Sequence, residues 1–372
     1  MKTSKSYIII GGGLAGLTCA IHLSKKGLDV LLIEKQEYPK HKVCGEYISN
    51  EVLDYLQTLG VDPLALDAKR ITQFKFSDDS GSTLDIALPG GGFGMSRYAF
   101  DKLLLDKALE QGVQLIKDTV KDVAFINKRF TVTTITEQQY EADYVIGAYG
   151  KRSNLDKKFS RKFIQQQSPW LGVKAHYKGD FPEDTVALHN FKGGYCGLSK
   201  VETGHVNACY LADFNSFKRF KNLNHYQKEV LEKNKALAAF FASSEMVFEK
   251  HLTISQISFE KKQPVENHIF MIGDSAGLIH PLCGNGMAMA IHSAKIVSEL
   301  LIANLGDEQD RSIIEQNYAK QWKATFSRRL YAGRLLQQSL QHKQLTKYGI
   351  RFIRQSPWLL KAMIRATHGT SI

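Results

Sequence analysis

The apolar pattern opens with an unbroken run, Tyr7-Ile8-Ile9-Ile10, and glycines end it at once at Gly11, Gly12, Gly13 and Gly16. A short β-branched run with no polar break predicts a strand buried on both faces. Helical spacing follows from Leu14 to Lys26. A second apolar run, Val30-Leu31-Leu32-Ile33, then ends on Glu34. Strand, glycine turn, helix and strand in that order predict a βαβ opening.

The pattern changes downstream. A polar loop from Lys35 to Ser49 becomes helical through Val52, Leu53, Tyr55, Leu56 and Leu59. Residues 71–88 alternate apolar and polar, as in Phe74-Lys75-Phe76 and Leu84-Asp85-Ile86, and predict an antiparallel hairpin. Pro89 to Gly94 then leads to a helix over Tyr98–Gln111. Strands are expected at 113–115, 120–126 and 129–135. A buried one over 142–150 ends in small residues. Residues 165–215 alternate again, and 222–243 carry helical spacing. A last buried strand, Asn267 to Ile272, runs into Gly273-Asp274. A long helix from Met287 to about Leu305 comes after it, with Ala288, Ala290, Ser293 and Ala294 as small positions, and the remainder is helical and basic.

A chain of 372 residues has room for two domains, or for one with a large insert. Its 43% apolar and 23% charged residues are those of a soluble globular protein. The start, Met-Lys-Thr-Ser-Lys-Ser, lacks the long apolar core of a signal peptide, and no stretch is expected to span a membrane. The five cysteines, Cys19, Cys44, Cys196, Cys209 and Cys283, form no C-x-x-C pair. Neither a zinc site nor a disulfide framework is expected, and the reading is a reducing cytoplasm. The net charge of +12 is lopsided: from Arg311 onward there are twelve Lys or Arg against the single acid Glu315. Charged and apolar positions interleave there, from Arg328-Arg329-Leu330-Tyr331 through Ile350-Arg351-Phe352-Ile353-Arg354 to Trp358-Leu359-Leu360. One reading is peripheral contact with anionic lipid; the other is a helical cap with its apolar face on the core. No nucleic-acid recognition motif accompanies the charge, so nucleic acid is not an expected partner.

Three distant stretches combine into one chemistry. In the G-x-G-x-x-G order, Gly11 permits the turn, Gly13 lets backbone approach a pyrophosphate, and Gly16 lets the helix pack closely. The helix N-terminus favours phosphate, and Glu34 at the tip of the second strand suits a ribose diol. A carboxylate there argues against a 2′-phosphate. Arg97 starts a helix, placed for phosphate charge. Asp274 ends a buried strand beside Gly284-Asn285-Gly286, where a carboxylate can accept from a polyol and a helix N-terminus can stabilise an anionic ring. A polyol joined to an anionic ring is a flavin.

On these residues the chain resembles FAD-dependent flavoproteins built like p-hydroxybenzoate hydroxylase, and within them the geranylgeranyl reductase-like branch. The carriers are Gly11–Gly16 with Glu34, Ser96-Arg97 with Phe100-Asp101-Lys102-Leu103-Leu104, Gly273-Asp274-Ser275-Ala276-Gly277 with Pro281 and Gly284-Asn285-Gly286, and the Cys-Gly loop Lys42-Val43-Cys44-Gly45-Glu46. The resemblance implies an α/β (α+β) architecture. A Rossmann-like FAD-binding domain (1–70, 95–155, 265–310) carries an inserted antiparallel β-sheet substrate domain (71–94, 156–264), and a basic C-terminal helical region (311–372) follows. It implies FAD, with NADH or NADPH as electron donor. The cofactor-facing positions implied are Gly11, Gly13, Leu14, Ala15, Gly16, Glu34, Lys35, Lys42, Cys44, Arg97, Val120, Gly150, Asp274, Gly284, Asn285, Gly286 and Met287.

The chain departs from the family pattern in two places. Tyr149 stands where the family's third motif carries Asp. Gly193-Gly194-Tyr195-Cys196-Gly197-Leu198 replaces the reductase branch's Tyr-x-Trp-x-Phe-Pro. The Trp-x-Trp-x-Ile-Pro signature of flavin halogenases is absent. The favoured expectation is a monooxygenase hydroxylating a hydrophobic aromatic or polyketide-like molecule. The alternative is a reductase of double bonds in a lipid or prenyl chain, and a third class is a flavin-binding protein without turnover. His280, Cys44 and Tyr195 are the catalytic candidates, as proton donor, thiol over the ring and pocket wall respectively. Lys151 and Arg152 could meet a pyridine nucleotide phosphate.

Overall fold

The computed structural model describes residues 3–165, 168–255, 257–306, 310–341 and 356–372. Two mixed sheets organise them. In the first, Thr3–Ile10 is flanked in parallel by Val30–Glu34 and Gln139–Gly147, so that Ile9 lies opposite Leu32 and Ile146. Gln114–Lys117 extends one side and Ile269–Met271 the other, both in parallel. The hairpin Val120–Ile126 and Arg129–Thr134 joins through Gln139–Gly147. Helices Leu14–Ser24 and Gly286–Ala303 pack together, and Ile8, Ile9, Leu17, Ile21 and Ile291 are fully buried. Parallel strands end at one edge. Ile10, Glu34, Gly147 and Met271 therefore deliver their turns to the same place, where α/β sheets bind ligands.

The second sheet has nine strands, antiparallel except where Thr185–Phe191 runs alongside Lys69–Ser77. It takes in Tyr47–Ser49 as well as Trp170–Lys178, Gly194–Lys200 and Val206–Asp213. Residues 89–94, expected as a lead-in, are the end of the strand Thr83–Gly94. Glycine allows this. A side chain on Gly92 would overlap the Tyr47 ring and fall 2.5 Å from the Ile48 carbonyl. The expected helix over 222–243 is broken into Leu223–Glu229, a turn at Leu231–Lys233 and Lys235–Ala242, because Asn234 stops one and caps the next by accepting from Ala236 N and Leu237 N.

Gly286–Ala303, 18 residues long, has the length and apolarity of a membrane span, against expectation, but eleven of its residues are buried in the core. The chain closes with helices Arg311–Gln341 and Pro357–Thr367. The part of the basic stretch at 342–355 lies outside the described residues. Leu360 and Ile364 turn the apolar face of the last helix inward, while Trp358 is 68% exposed on its other side.

Candidate active site

A cavity of about 800 Å³ begins at the ends of the parallel strands and continues to the face of the second sheet. At its first end Gly11 adopts φ +105°, and a Cβ there would lie 2.5 Å from the Ala148 carbonyl. A Cβ on Gly16 would overlap the Gly11 carbonyl oxygen, so Gly16 serves packing and does not reach the cavity wall. A Cβ on Gly13 would meet nothing nearer than Arg97 Nη2, at 3.9 Å. That glycine faces open cavity. Glu34 is held at its strand tip by Gly12 N (2.6 Å) and Gln36 N (2.9 Å), and it lines the cavity with Leu14, Ala15 and Lys35.

Arg97 follows its cap, Ser96, whose hydroxyl accepts from Ala99 N. Its guanidinium grips Asp101 through two bonds of 2.7 and 2.9 Å, and Lys42 reaches the same carboxylate at 2.7 Å. Two cations share one buried acid, which leaves surplus positive charge facing the cavity beside the glycine turn.

Two further turns meet in the middle. Gly150 N donates to Ser275 Oγ at 2.8 Å. Lys262, not singled out in the sequence, stitches them by donating to the carbonyls of Lys151 (2.9 Å) and Asp274 (2.7 Å). Burial pulls its pKa down to about 8. Gly273 donates to Ser293 Oγ at 2.8 Å, and a Cβ on it would crowd Ala15 at 3.0 Å. Asp274, Gly150, Gly284, Gly286 and Met287 all line the cavity, with Gly286 opening a long helix toward it. Tyr149 lies in the same wall, its hydroxyl 3.3 Å from Met271 Sδ.

Cys44 lines the cavity, with its thiol 3.4 Å from Met287 Sδ. Its loop is bolted to the second sheet: Asn207 Nδ2 donates to the Cys44 (3.2 Å) and Gly45 (2.8 Å) carbonyls. Beneath it Glu46, at φ +55°, is fully buried. Its carboxylate accepts from Arg97 N and His176 Nε2, both at 2.7 Å, and from the fully buried ammonium of Lys174. Burial alone would raise this carboxyl, but Lys174 and His176 hold it below the usual range. A hub of this kind leaves no mark in the sequence, because Lys174 and His176 are alternating residues of an ordinary strand.

His280, expected as a proton donor at the cavity, does not reach its wall. Its ring packs among Trp170, Tyr195 and Phe259, and Nδ1 accepts from Leu282 N at 3.3 Å. Burial lowers its pKa to about 4, so it is neutral near pH 7. Tyr195 does line the cavity, yet its hydroxyl is buried with no hydrogen-bond partner among the described residues. Val120 and Asn285 also fall outside the wall. Val120 is a buried strand residue, and Asn285 donates to the Thr367 carbonyl at 2.7 Å.

The far end is apolar, walled by Phe74, Phe76, Leu188, Leu211, Ile257 and, from the last helix, Leu360 and Ile364. The Asp, Glu, Lys and Arg residues that line the cavity come from the glycine turns, the 34–42 loop and, as Arg97, the start of a helix. Lys75, between two wall phenylalanines, points away to Asp85 at 3.5 Å. Polar residues of this end that the sequence does not mark include Tyr47 and His368. Tyr47 directly follows the Cys-Gly loop, but His368 arrives only because the last helix docks. That docking rests on Asn285 and on Glu51, whose carboxylate, paired with Arg329 at 3.0 Å, accepts from Gly369 N and whose carbonyl accepts from Ile372 N at 3.0 Å.

Comparison with known proteins agrees with this geometry. A family model described as FAD binding domain matches residues 5–327. A 1H-pyrrole-2-carbonyl-[peptidyl-carrier protein] brominase of Pseudoalteromonas luteoviolacea is 31% identical over 196 residues, 48% of this chain and 47% of that protein. A digeranylgeranylglycerophospholipid reductase of Methanosarcina acetivorans is 25% identical over 347 residues, 87% of this chain and 82% of that one. Among solved structures, the flavin-dependent brominase Bmp2 superposes with TM-score 0.79 at 21% identity over 98% of this chain and 93% of its own. PqsL, a probable FAD-dependent monooxygenase of Pseudomonas aeruginosa, does so with TM-score 0.72 at 15% identity over 94% and 99%. With the family match running from the first strand into helix Arg311–Gln341, the chain belongs to the FAD-binding-domain family of FAD-dependent oxidoreductases.

Proposed function

We propose that the protein is an NAD(P)H-dependent FAD monooxygenase that acts on a hydrophobic aromatic or polyketide-like small molecule. The observation that carries this is one continuous cavity, charged at the glycine-turn end and apolar at the other. The residues fit the cofactor. Gly13 leaves open space before Arg97, two cations crowd one acid, and the Gly286 helix N-terminus faces the middle of the cavity.

Bound FAD supplies the electron transfer and oxygen chemistry. The chain does the rest. Arg97 and Lys42 balance the pyrophosphate, Glu34 accepts from the ribose, and Asp274 accepts from the ribityl chain. Amides at Gly284–Met287 stabilise negative charge on the ring. The last helix closes the apolar end against water, which favours productive use of reduced flavin over leakage. Lys151 and Arg152 line the cavity, and their charge supports binding of a pyridine nucleotide phosphate there. The absence of the Trp-x-Trp-x-Ile-Pro signature of flavin halogenases supports hydroxylation over halogenation.

A second reading, double-bond reduction, has one specific support: the Cys44 thiol, a proton donor by type, lines the cavity beside Met287. Turnover with NADPH separates the two. The proposal expects substrate-dependent oxygen uptake and a product one oxygen heavier. A product two hydrogens heavier, formed without oxygen, sinks it.

A further inference from the structure

Beside the Gly284 turn, where the apolar end of the cavity begins, there is a local mismatch of hydrogen-bond partners. The Tyr47 hydroxyl lies 3.3 Å from the Gly91 carbonyl and 3.4 Å from His368 Nε2. His368 Nδ1 lies 2.9 Å from the Ile364 carbonyl, which can only accept, and 3.3 Å from the Thr367 hydroxyl, whose own proton goes to that same carbonyl at 2.9 Å. Nδ1 therefore carries the proton and Nε2 is an acceptor. The Tyr47 proton can go to one of the two acceptors, and both contacts are long. What the group lacks is a second donor.

Its surroundings say where that donor comes from. Tyr47 and His368 both line the cavity. A Cβ on Gly284 would lie 3.3 Å from the Tyr47 ring, so the pair sits beside the glycine turn whose amides would hold the flavin ring on the reading above. Around it the wall is Leu282, Leu360, Met363 and Ile364. Burial holds His368 below its ordinary pKa, against the opposing pull of Glu51, which keeps Nε2 available. His368 lies past residue 327, outside the part that matches the family model, whereas Tyr47 lies within it.

We propose that Tyr47 and His368 form the substrate's polar anchor: the substrate is a neutral, hydrophobic molecule bearing a hydroxyl, which donates to His368 Nε2 and accepts from Tyr47. This rests on the reading of the apolar end as the substrate pocket. The hydroxyl is thereby held next to the flavin ring, with the apolar body along the second sheet.

The test uses the purified FAD-loaded full chain and two probes of matched bulk, 4-nonylphenol and nonylbenzene, followed through the flavin absorption spectrum. The wild type is expected to bind the phenol about tenfold more tightly than the hydrocarbon, the value of one well-made hydrogen bond. His368→Phe and Tyr47→Phe, with FAD content and Tm checked, are expected to bring the two probes within about twofold of each other. Equal binding of both probes by the wild type overturns the anchor, and so does an unchanged preference in the two folded variants. Flavin binding and NADPH oxidation by the wild type are scored separately. Their loss would remove the reading of the site itself, whereas their presence without a phenol preference removes only the anchor.

Discussion

At the scale of single residues the three glycines of the first turn do different work, and substitution separates them. Gly13 faces open cavity, so Gly13→Val is expected to fold and keep its Tm without flavin while weakening FAD binding at least about 100-fold, read by flavin fluorescence titration. Gly16 abuts the Gly11 carbonyl, so Gly16→Val should instead lower yield and Tm. Equal effects from both would contradict the assignment. Glu46 gives a second test. Glu46→Gln leaves the Lys174 ammonium buried against a neutral partner, a loss of about 3–5 kcal/mol read by urea unfolding. Adding Lys174→Met should recover most of it; failure of that rescue would show that the pair does not act as a unit. The motif residues were legible because their roles are local: glycine conformation, a strand tip, a helix start. Lys174, His176, Lys262 and His368 were not, because nothing in an alternating strand or a basic tail says which buried carboxylate, carbonyl or cavity it will meet.

At the scale of elements, the strands of the parallel sheet could be read from their unbroken apolar runs, since burial on both faces demands such runs. The errors came where one residue overrides a pattern: Asn234 divides a helical stretch, and Gly92 allows a strand through a glycine-rich segment. The last helix was the least legible element. Its composition fitted a surface lying on lipid or a cap on the core, and the structure turns Leu360 and Ile364 into the cavity. Its attachment is concentrated at its C-terminal end, where Asn285 holds the Thr367 carbonyl. Asn285→Ala should therefore raise hydrogen exchange across Pro357–Thr367 by about tenfold while leaving Thr3–Ile10 protected. It should also increase NADPH oxidation not coupled to product. Unchanged exchange in that helix would show that Asn285 does not hold it.

At the scale of the whole molecule, buried histidines set the acid limit of stability. His189, His280 and His292 have pKa values lowered to about 4 by burial, against 6.5 when unfolded. Between those values the unfolded chain binds more protons than the folded one, so stability rises with pH through that window and is lost on acidification from 6.5 toward 4. Thermal melts across pH 4–7 should show Tm falling in this range, and a flat profile would refute it. The two sheets meet across one cavity, charged where a dinucleotide fits and apolar where the chain's own terminus closes it. The most direct measurement of that account is product mass under air enriched in heavy oxygen, with FAD-loaded protein, NADPH and a panel of alkylphenols. The account predicts one labelled oxygen in the product and oxygen uptake that depends on the phenol. A purified protein that retains no FAD, or a product that gains two hydrogens and no oxygen, would contradict it.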